Sequence, residues 1–462
     1  VWTPGGPQRA DIVVVGERIA AIEPDPPSRP GDEVVDAAGL DVVPGLIDLH
    51  VHVADRIGPY ELADDFASGT EIAVRNGITT LFAFATQRDG EPLDDTVERC
   101  RASAAGACRC DVGLHLTPTA WPWDWDAVSR LAAAGVHTIK LYTTYREAGL
   151  LTPWDRLATV MERLAALGLG LLLHCEDDAV LAAAPPPRDP RDAFSHTAAR
   201  PAAAEVEAIR RACELAARTE CRLHVVHVST AEGAEVIAAA RRRGARASCE
   251  TCPQYLLLDD ALLGGPGGHR FLCTPALRDG ETRRRLEELL VAGEIDLLAT
   301  DHCAFLRADK DAWSGADYRV VPNGLPGLGA LVPLAHELLV RRHGLGVGVL
   351  VRRLAENPAR IAGVYPRKGA LVRGADADVA VLDPRAAARP VAATLADAHD
   401  PWAGRTTTLL ARHVLVRGRR VVQDGELIAS ARPAGALAPW GQVPTTSSAP
   451  GSTSITVPGG ST

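Results

Sequence analysis

Eight short apolar runs, set apart by longer stretches of helical period, limit what this chain can fold into more than any other feature. They are residues 42–52 (VVPGLIDLHVH), 79–85, 111–117, 138–144, 170–176, 222–229, 246–252 and 295–301. Between several of them Ala, Leu, Arg and Glu recur at helical spacing, as in 155–167 and 202–218. Eight β/α units in succession predict an α/β chain closed into a (β/α)8 TIM-like barrel rather than an open sheet. No shorter repeat is visible.

Outside this span the pattern changes. Residues 9–23 alternate and turn like a β-hairpin near Gly16-Glu17, and 363–385 and 407–430 read the same way. These segments predict a small β-sandwich module built from both chain ends. The boundaries are 1–43 and 362–432 for the two parts of the module and 44–361 for the barrel inserted between them. The Ser/Thr/Gly/Pro-rich stretch 433–462 is expected to be disordered. Val1 already reads as strand or turn, so a further strand is expected upstream of it, pairing with 10–15.

Composition removes several functional classes. Apolar residues make up 47%, enough for a large core, and a formal charge of −9 gives no reason to expect nucleic acid or an anionic membrane as partner. There is no run of 18 apolar residues and no cationic-then-apolar leader, so neither a membrane span nor a signal peptide is expected. Ten cysteines without framework spacing suit a reducing cytoplasm.

The chemistry falls where a barrel would use it, at the C-terminal ends of the strands. His50 and His52 end the first run, and their alternate spacing turns both imidazoles to one side. Lys140 lies in the fourth run, His174 and His227 lie near the ends of the fifth and sixth, and Asp301 ends the eighth. Histidine and carboxylate suit zinc and similar divalent ions. A protonated Lys140 among cations would be repelled, whereas a carbamylated lysine carries a carboxylate and can bridge two metals. Arginine is never deprotonated and cannot take that role. This chain, arginine-rich elsewhere, contains lysine only at 140, 310 and 368.

The run VVPGLIDLHVH, followed in order by TIKLYTTY, LLLHCED, LHVVHVST, ETCPQYL, LCTPALRD, LLATDHCAF, PNGLPGLG and GADADVAVLDP, resembles the cyclic amidohydrolases of the amidohydrolase superfamily, dihydropyrimidinases and hydantoinases above all. The resemblance spans about residue 10 to residue 430. It implies that His50, His52 and Asp301 hold a buried metal, that His174 and His227 hold a more exposed one, and that a carbamate on Lys140 bridges two divalent ions, zinc first. It implies that Tyr145 polarises the scissile carbonyl and that backbone groups at Thr274 and Asn323 hold the ring imide. A metal-bridging hydroxide would then hydrolyse a cyclic amide C–N bond to give an N-carbamoyl amino acid, with Asp301 moving the proton, in a homotetramer or homodimer. An arginine usual in dihydroorotases is replaced by Ala54. Allantoinase-like or dihydroorotase-like activity, another ring of specialised metabolism, and a non-catalytic scaffold are the alternatives.

Other residues are set aside. His224 lies three before His227, hence on the opposite strand face; His302 is expected to support Asp301; His115 and His137 are structural or exposed. Cys249 and Cys252 form one CxxC with no partner pair. Trp121, Trp123 and Trp125 read as packing or a loop lid, and the glycines of 264–268 as a loop without a phosphate signature.

Overall fold

The computed structural model describes residues 1–27, 30–187, 189–313, 315–429 and 455–456. The stretch from 433 expected to be disordered lies outside the described residues, except for Ile455–Thr456, which pair in parallel with Glu33–Val34.

Along the chain the strands that matter are β1 (Asp11–Val15) and β2 (Arg18–Glu23), β3 (Asp41–Pro44), β4 (Leu46–His52), β5 (Ile78–Thr86), β6 (Asp111–Thr117), β7 (Thr138–Tyr142), β8 (Gly170–His174), β9 (Arg222–Val225), β10 (Ala247–Thr251), β11 (Leu297–Leu298), β12 (His302–Cys303), β13 (Val379–Asp383), β14 (Leu410–Val416), β15 (Arg419–Gln423) and β16 (Glu426–Leu427). One sheet runs β11-β10-β9-β8-β7-β6-β5-β4-β12, with every pairing parallel. Its two edges, β11 and β12, are consecutive halves of one broken strand, so the sheet closes on itself as an eight-stranded barrel. Amphipathic helices such as Trp154–Ala166, Ala202–Thr219 and Ala231–Arg242 face the core through Leu157, Val160, Ile209, Ala212 and Ile237. The fold is therefore α/β, a (β/α)8 barrel with antiparallel sheet at the chain ends.

The end sheet runs β16-β15-β14-β13-β3, all antiparallel, and thus joins an N-terminal strand to four C-terminal ones. The β1–β2 hairpin packs against it through Ile12, Val14, Ile19, Val42, Val379 and Leu415. The apolar run 42–52 is two strands, because the chain passes from end sheet to barrel at Gly45. A Cβ there would sit 2.1 Å from Thr79 Oγ1, so only glycine lets the chain cross so close to β5. The reading of 363–385 as a hairpin is corrected: only Val379–Asp383 is strand. The stretch before it carries Lys368, whose ammonium meets Asp111 at 2.5 Å, Asp376 at 3.1 Å and Asp378. These are buried charges at the base of the barrel, with partners that satisfy them. Among the described residues no helix is long and apolar enough to cross a membrane.

Candidate metal centre

The strand ends converge as the barrel closes. His50 Nε2 lies 3.1 Å and His52 Nε2 3.3 Å from Asp301 Oδ1. Asp301 sits in the break between β11 and β12 with φ 51, a left-handed value that aims its carboxylate across β4. His174 Nδ1 and His227 Nε2 approach to 3.0 Å. The His50 and His227 rings, 5.4 Å apart, join the two groups. Left-handed backbone also occurs at Ala54, Tyr145 and His227, so four non-glycine residues around one mouth carry unfavourable conformations that the surroundings must hold.

Lys140 is fully buried, its Nζ 5.3 Å from the Phe84 ring centre and 5.0 Å from that of Tyr142. Burial brings its pKa down to about 8, although the Asp301 and Glu250 carboxylates pull the other way. The Tyr145 ring lies 5.1 Å from that of His174, and burial pushes its phenol pKa well up. The Thr274 hydroxyl is buried beside the Tyr145 phenol. Asn323 is exposed, and Gly324 N–H donates to the Leu272 carbonyl at 2.9 Å, which brings the two loops together.

Several supporting residues were not legible. Glu250 Oε1 is 2.5 Å from His50 Nδ1, and its Oε2 is 3.0 Å from His224 Nε2. Glu176 Oε2 accepts from His174 Nε2 at 2.8 Å and from Arg200 at 2.5 Å. Arg200 also lies over the Tyr145 ring at 5.2 Å. Asp48 accepts from the Thr300 hydroxyl and amide at 2.6 and 3.1 Å. The signal was present in the sequence: a carboxylate inside a buried apolar strand, as at Glu250, must find a partner. The set-aside of His224 is corrected in its geometry. β9 ends at Val225, so alternation does not reach His227, and both histidines contact Glu250, His227 through its backbone N–H at 3.3 Å. His302 bonds Asp64 at 3.1 Å, a supporting position.

The donor set fits a divalent cation. Glu250 accepts from His50 Nδ1–H, so the neutral ring would present Nε2 as a lone pair. That lone pair faces the Asp301 carboxylate without a hydrogen bond. The two atoms, 3.1 Å apart, call for a cation between them: a metal ion, or a proton on Nε2, which Asp301 and Glu250 favour against burial. His50, His52 and Asp301 form one compact ligand group; the other such group among the described residues, Asp111, Asp376 and Asp378, already has the Lys368 ammonium among its carboxylates.

The sequence profile of the amidohydrolase family matches residues 42–421. A D-hydantoinase of Streptomyces coelicolor is 32% identical over 430 residues, covering 90% of this chain and 91% of that one. A D-phenylhydantoinase of Escherichia coli is 31% identical over 432 residues, covering 91% and 92%. The crystal structure of a dihydropyrimidinase from Brevibacillus agri superposes with a TM-score of 0.85 at 29% identity, covering 92% and 94%.

Proposed function

This chain belongs to the amidohydrolase family, and we propose that it hydrolyses a ring amide of a hydantoin or dihydropyrimidine, releasing an N-carbamoyl amino acid. The observation that carries the reading is the gathering of ligand atoms of His50, His52 and Asp301 within 4.8 Å of one another at the barrel mouth, with Glu250 on the far nitrogen of His50. His50, His52 and Asp301 would hold one divalent ion, His174 and His227 a second, and a carbamate on Lys140 would join them, with zinc suited to the set. When bound, such ions polarise the carbonyl and bring the pKa of water towards neutrality.

The chain's own groups do the rest. The Tyr145 phenol, kept protonated by burial, donates to the carbonyl oxygen as charge builds there. Burial alone would raise the Asp301 pKa, but the cationic charge it shares with the His50 and His52 rings holds it well below the usual range. Asp301 therefore stays ionised, accepts the proton of the attacking water and returns it to the ring nitrogen as the C–N bond breaks. Water supplies OH to the carbonyl carbon and H to nitrogen, so the reaction balances without another reactant. Backbone groups at Thr274 and Asn323 hold the ring imide.

A dihydroorotase-like reading is disfavoured: Ala54 has no charged group to offer, and Arg56 is exposed on a hairpin 3.8 Å from Glu61. A scaffold role is disfavoured by the complete donor set. The ten cysteines, all buried and free, support a cytoplasmic setting, and exposed Phe194, Leu306 and Val320 offer apolar surface for a homodimer or homotetramer. Elemental analysis should find close to two divalent ions per chain, and a panel of rings should show opening of hydantoins or dihydropyrimidines. Asp301→Asn should retain most metal and lose roughly a thousandfold in kcat, about 4 kcal/mol. Near-normal turnover in the metal-loaded variant would remove Asp301 from proton transfer.

A further inference from the structure

The opposite end of the barrel holds a second recess that the proposed reaction does not use. Thr138, Gly170, Arg222 and Ala247 are the first residues of four successive strands, β7 to β10, and all four line a cavity of about 390 Å³. Its floor is apolar, with Leu171, Leu172, Leu223 and Ile361. A neighbouring recess of about 340 Å³ shares Arg222 and Arg246 with it.

The charges at the rim are unequal. Arg241 is neutralised by Asp296 at 2.8 Å, and Arg360 by Glu356 at 2.8 Å. Arg222 donates only to the Gly168 carbonyl, and the Arg246 guanidinium has no hydrogen bond or ion pair among the described residues. Glu220, the one carboxylate lining the second recess, pairs with neither. Burial and the Arg246 charge both lower the Arg222 pKa, as expected of two guanidinium groups facing each other without a counterion.

The inner wall reaches the metal centre. His224 and Ser248 line the cavity, with His224 Nδ1 2.9 Å from Ser248 Oγ. The other His224 nitrogen bonds Glu250, which bonds His50. Movement at the recess therefore bears, through two side chains, on a residue of the candidate centre.

We infer that this recess is an effector site for a small carboxylate with an apolar body, its charge taken by Arg222 and Arg246 and its hydrocarbon by the leucine floor. An N-carbamoyl amino acid has this chemistry, and so has a simple fatty acid. The turnover arm of the test rests on the proposed function, whereas the binding arm does not.

Holoenzyme and Arg222→Gln/Arg246→Gln holoenzyme are titrated calorimetrically with hexanoate, hexanamide, N-carbamoylphenylalanine and inorganic phosphate. Hexanoate should bind the parent at least tenfold more tightly than the double variant, and hexanamide should bind neither. N-carbamoylphenylalanine binding to the parent, with a second equivalent lost in the double variant, identifies the product as a source; hexanoate alone at that site identifies a fatty acid. Phosphate binding as tightly as hexanoate would overturn the role of the floor. In turnover assays, hexanoate should alter kcat of the parent and leave the double variant unchanged, with basal rates within about twofold of each other. An equal response in both proteins would mean competition at the metal centre and would overturn the inference, as would equal calorimetric affinity. If the double variant is unstable, exposed Arg246→Gln alone should still weaken hexanoate severalfold. Should no ring be turned over, calorimetry still decides the site while the proposed reaction fails separately.

Discussion

Lys140 at the mouth of the barrel and Lys368 at its base are both fully buried, yet their surroundings have opposite character. Lys368 sits among Asp111, Asp376 and Asp378, which outweigh burial and raise its pKa, fixing it as an ammonium. Lys140 has aromatic rings at 5.0 and 5.3 Å, and burial brings its pKa to about 8. The first lysine is held by its charge; the second is disposed to give its charge up. Lys310, the remaining lysine, is buried too, so this chain keeps lysine off its surface altogether. Arginine could replace a lysine that serves only as a cation, and the comparison between the two ends turns on which lysine does more than that.

The largest effect expected is at the mouth. Lys140→Arg and Lys140→Ala should each lose roughly a thousandfold or more in kcat/KM, about 4 kcal/mol, and bind less metal, while far-ultraviolet circular dichroism stays unchanged. Short carboxylic acids should partly restore Lys140→Ala. Carbamate formation needs the neutral amine, so reactivation of stripped enzyme by metal at fixed dissolved carbon dioxide should rise about tenfold per pH unit up to about 8 and then flatten. Substantial activity in Lys140→Arg would leave the two lysines equivalent.

At the base the loss should be of stability. Lys368→Met takes the ammonium from Asp378, while Asp376 keeps Arg18 and Arg367 and Asp111 keeps Arg417, and should cost about 3–5 kcal/mol in denaturant unfolding, with turnover per folded molecule unchanged. Lys368→Arg keeps the charge and should be milder, about 1–3 kcal/mol of overpacking. If Lys368→Met unfolded at the parent's denaturant midpoint, the charge cluster would not hold barrel and end sheet together.

Glu250→Gln separates the ends in another way. It replaces the charged acceptor on His50 Nδ1 by a neutral amide and leaves the base untouched, so metal affinity should fall about 10–100-fold with little change in melting temperature. Competition with a chelator measures this, and unchanged affinity would mean that the His50 tautomer needs no carboxylate.

What was legible follows the same division. The barrel could be read because its strands are apolar runs, and the metal donors because histidine, aspartate and one lysine stand where those runs end. The interruption at Asp301 could not be read, since a run of apolar residues ending in a carboxylate looks continuous until pairing splits Leu297–Leu298 from His302–Cys303. Nor could the passage at Gly45, which depends on Thr79 lying against it from another strand. Glu250 and Glu176 went unread, because their partners include His50 on β4 and Arg200 in a distant loop, contacts that exist only once the barrel closes. The 363–378 stretch looked like strand because its apolar residues pack, yet it pairs with no neighbour over most of its length, and the buried Lys368 cluster takes the place of a ladder.

The smallest effect expected belongs to Lys310, which lies between the two extremes. Its Nζ donates to the Leu272 carbonyl at 3.2 Å, and burial lowers its pKa to about 8 with no carboxylate among the causes. The same carbonyl already accepts from Gly324 N–H at 2.9 Å, so removing the amine leaves no orphaned acceptor. Lys310→Met should therefore keep the Thr274 loop in place and raise KM by no more than a few fold. Its effect on stability has a defined sign. A lysine whose folded pKa is depressed contributes stability above the unfolded value of about 10.4 and loses it as pH falls towards about 8. The parent should lose stability through that window while Lys310→Met does not, so the variant should be the more stable at pH 7 by on the order of 3 kcal/mol, the difference narrowing towards pH 10. Denaturant unfolding of both proteins at the two pH values checks this, the other titrating groups cancelling between them. A variant that is less stable than the parent at pH 7 would show that Lys310, like Lys368, is held as a cation by partners that outweigh its burial.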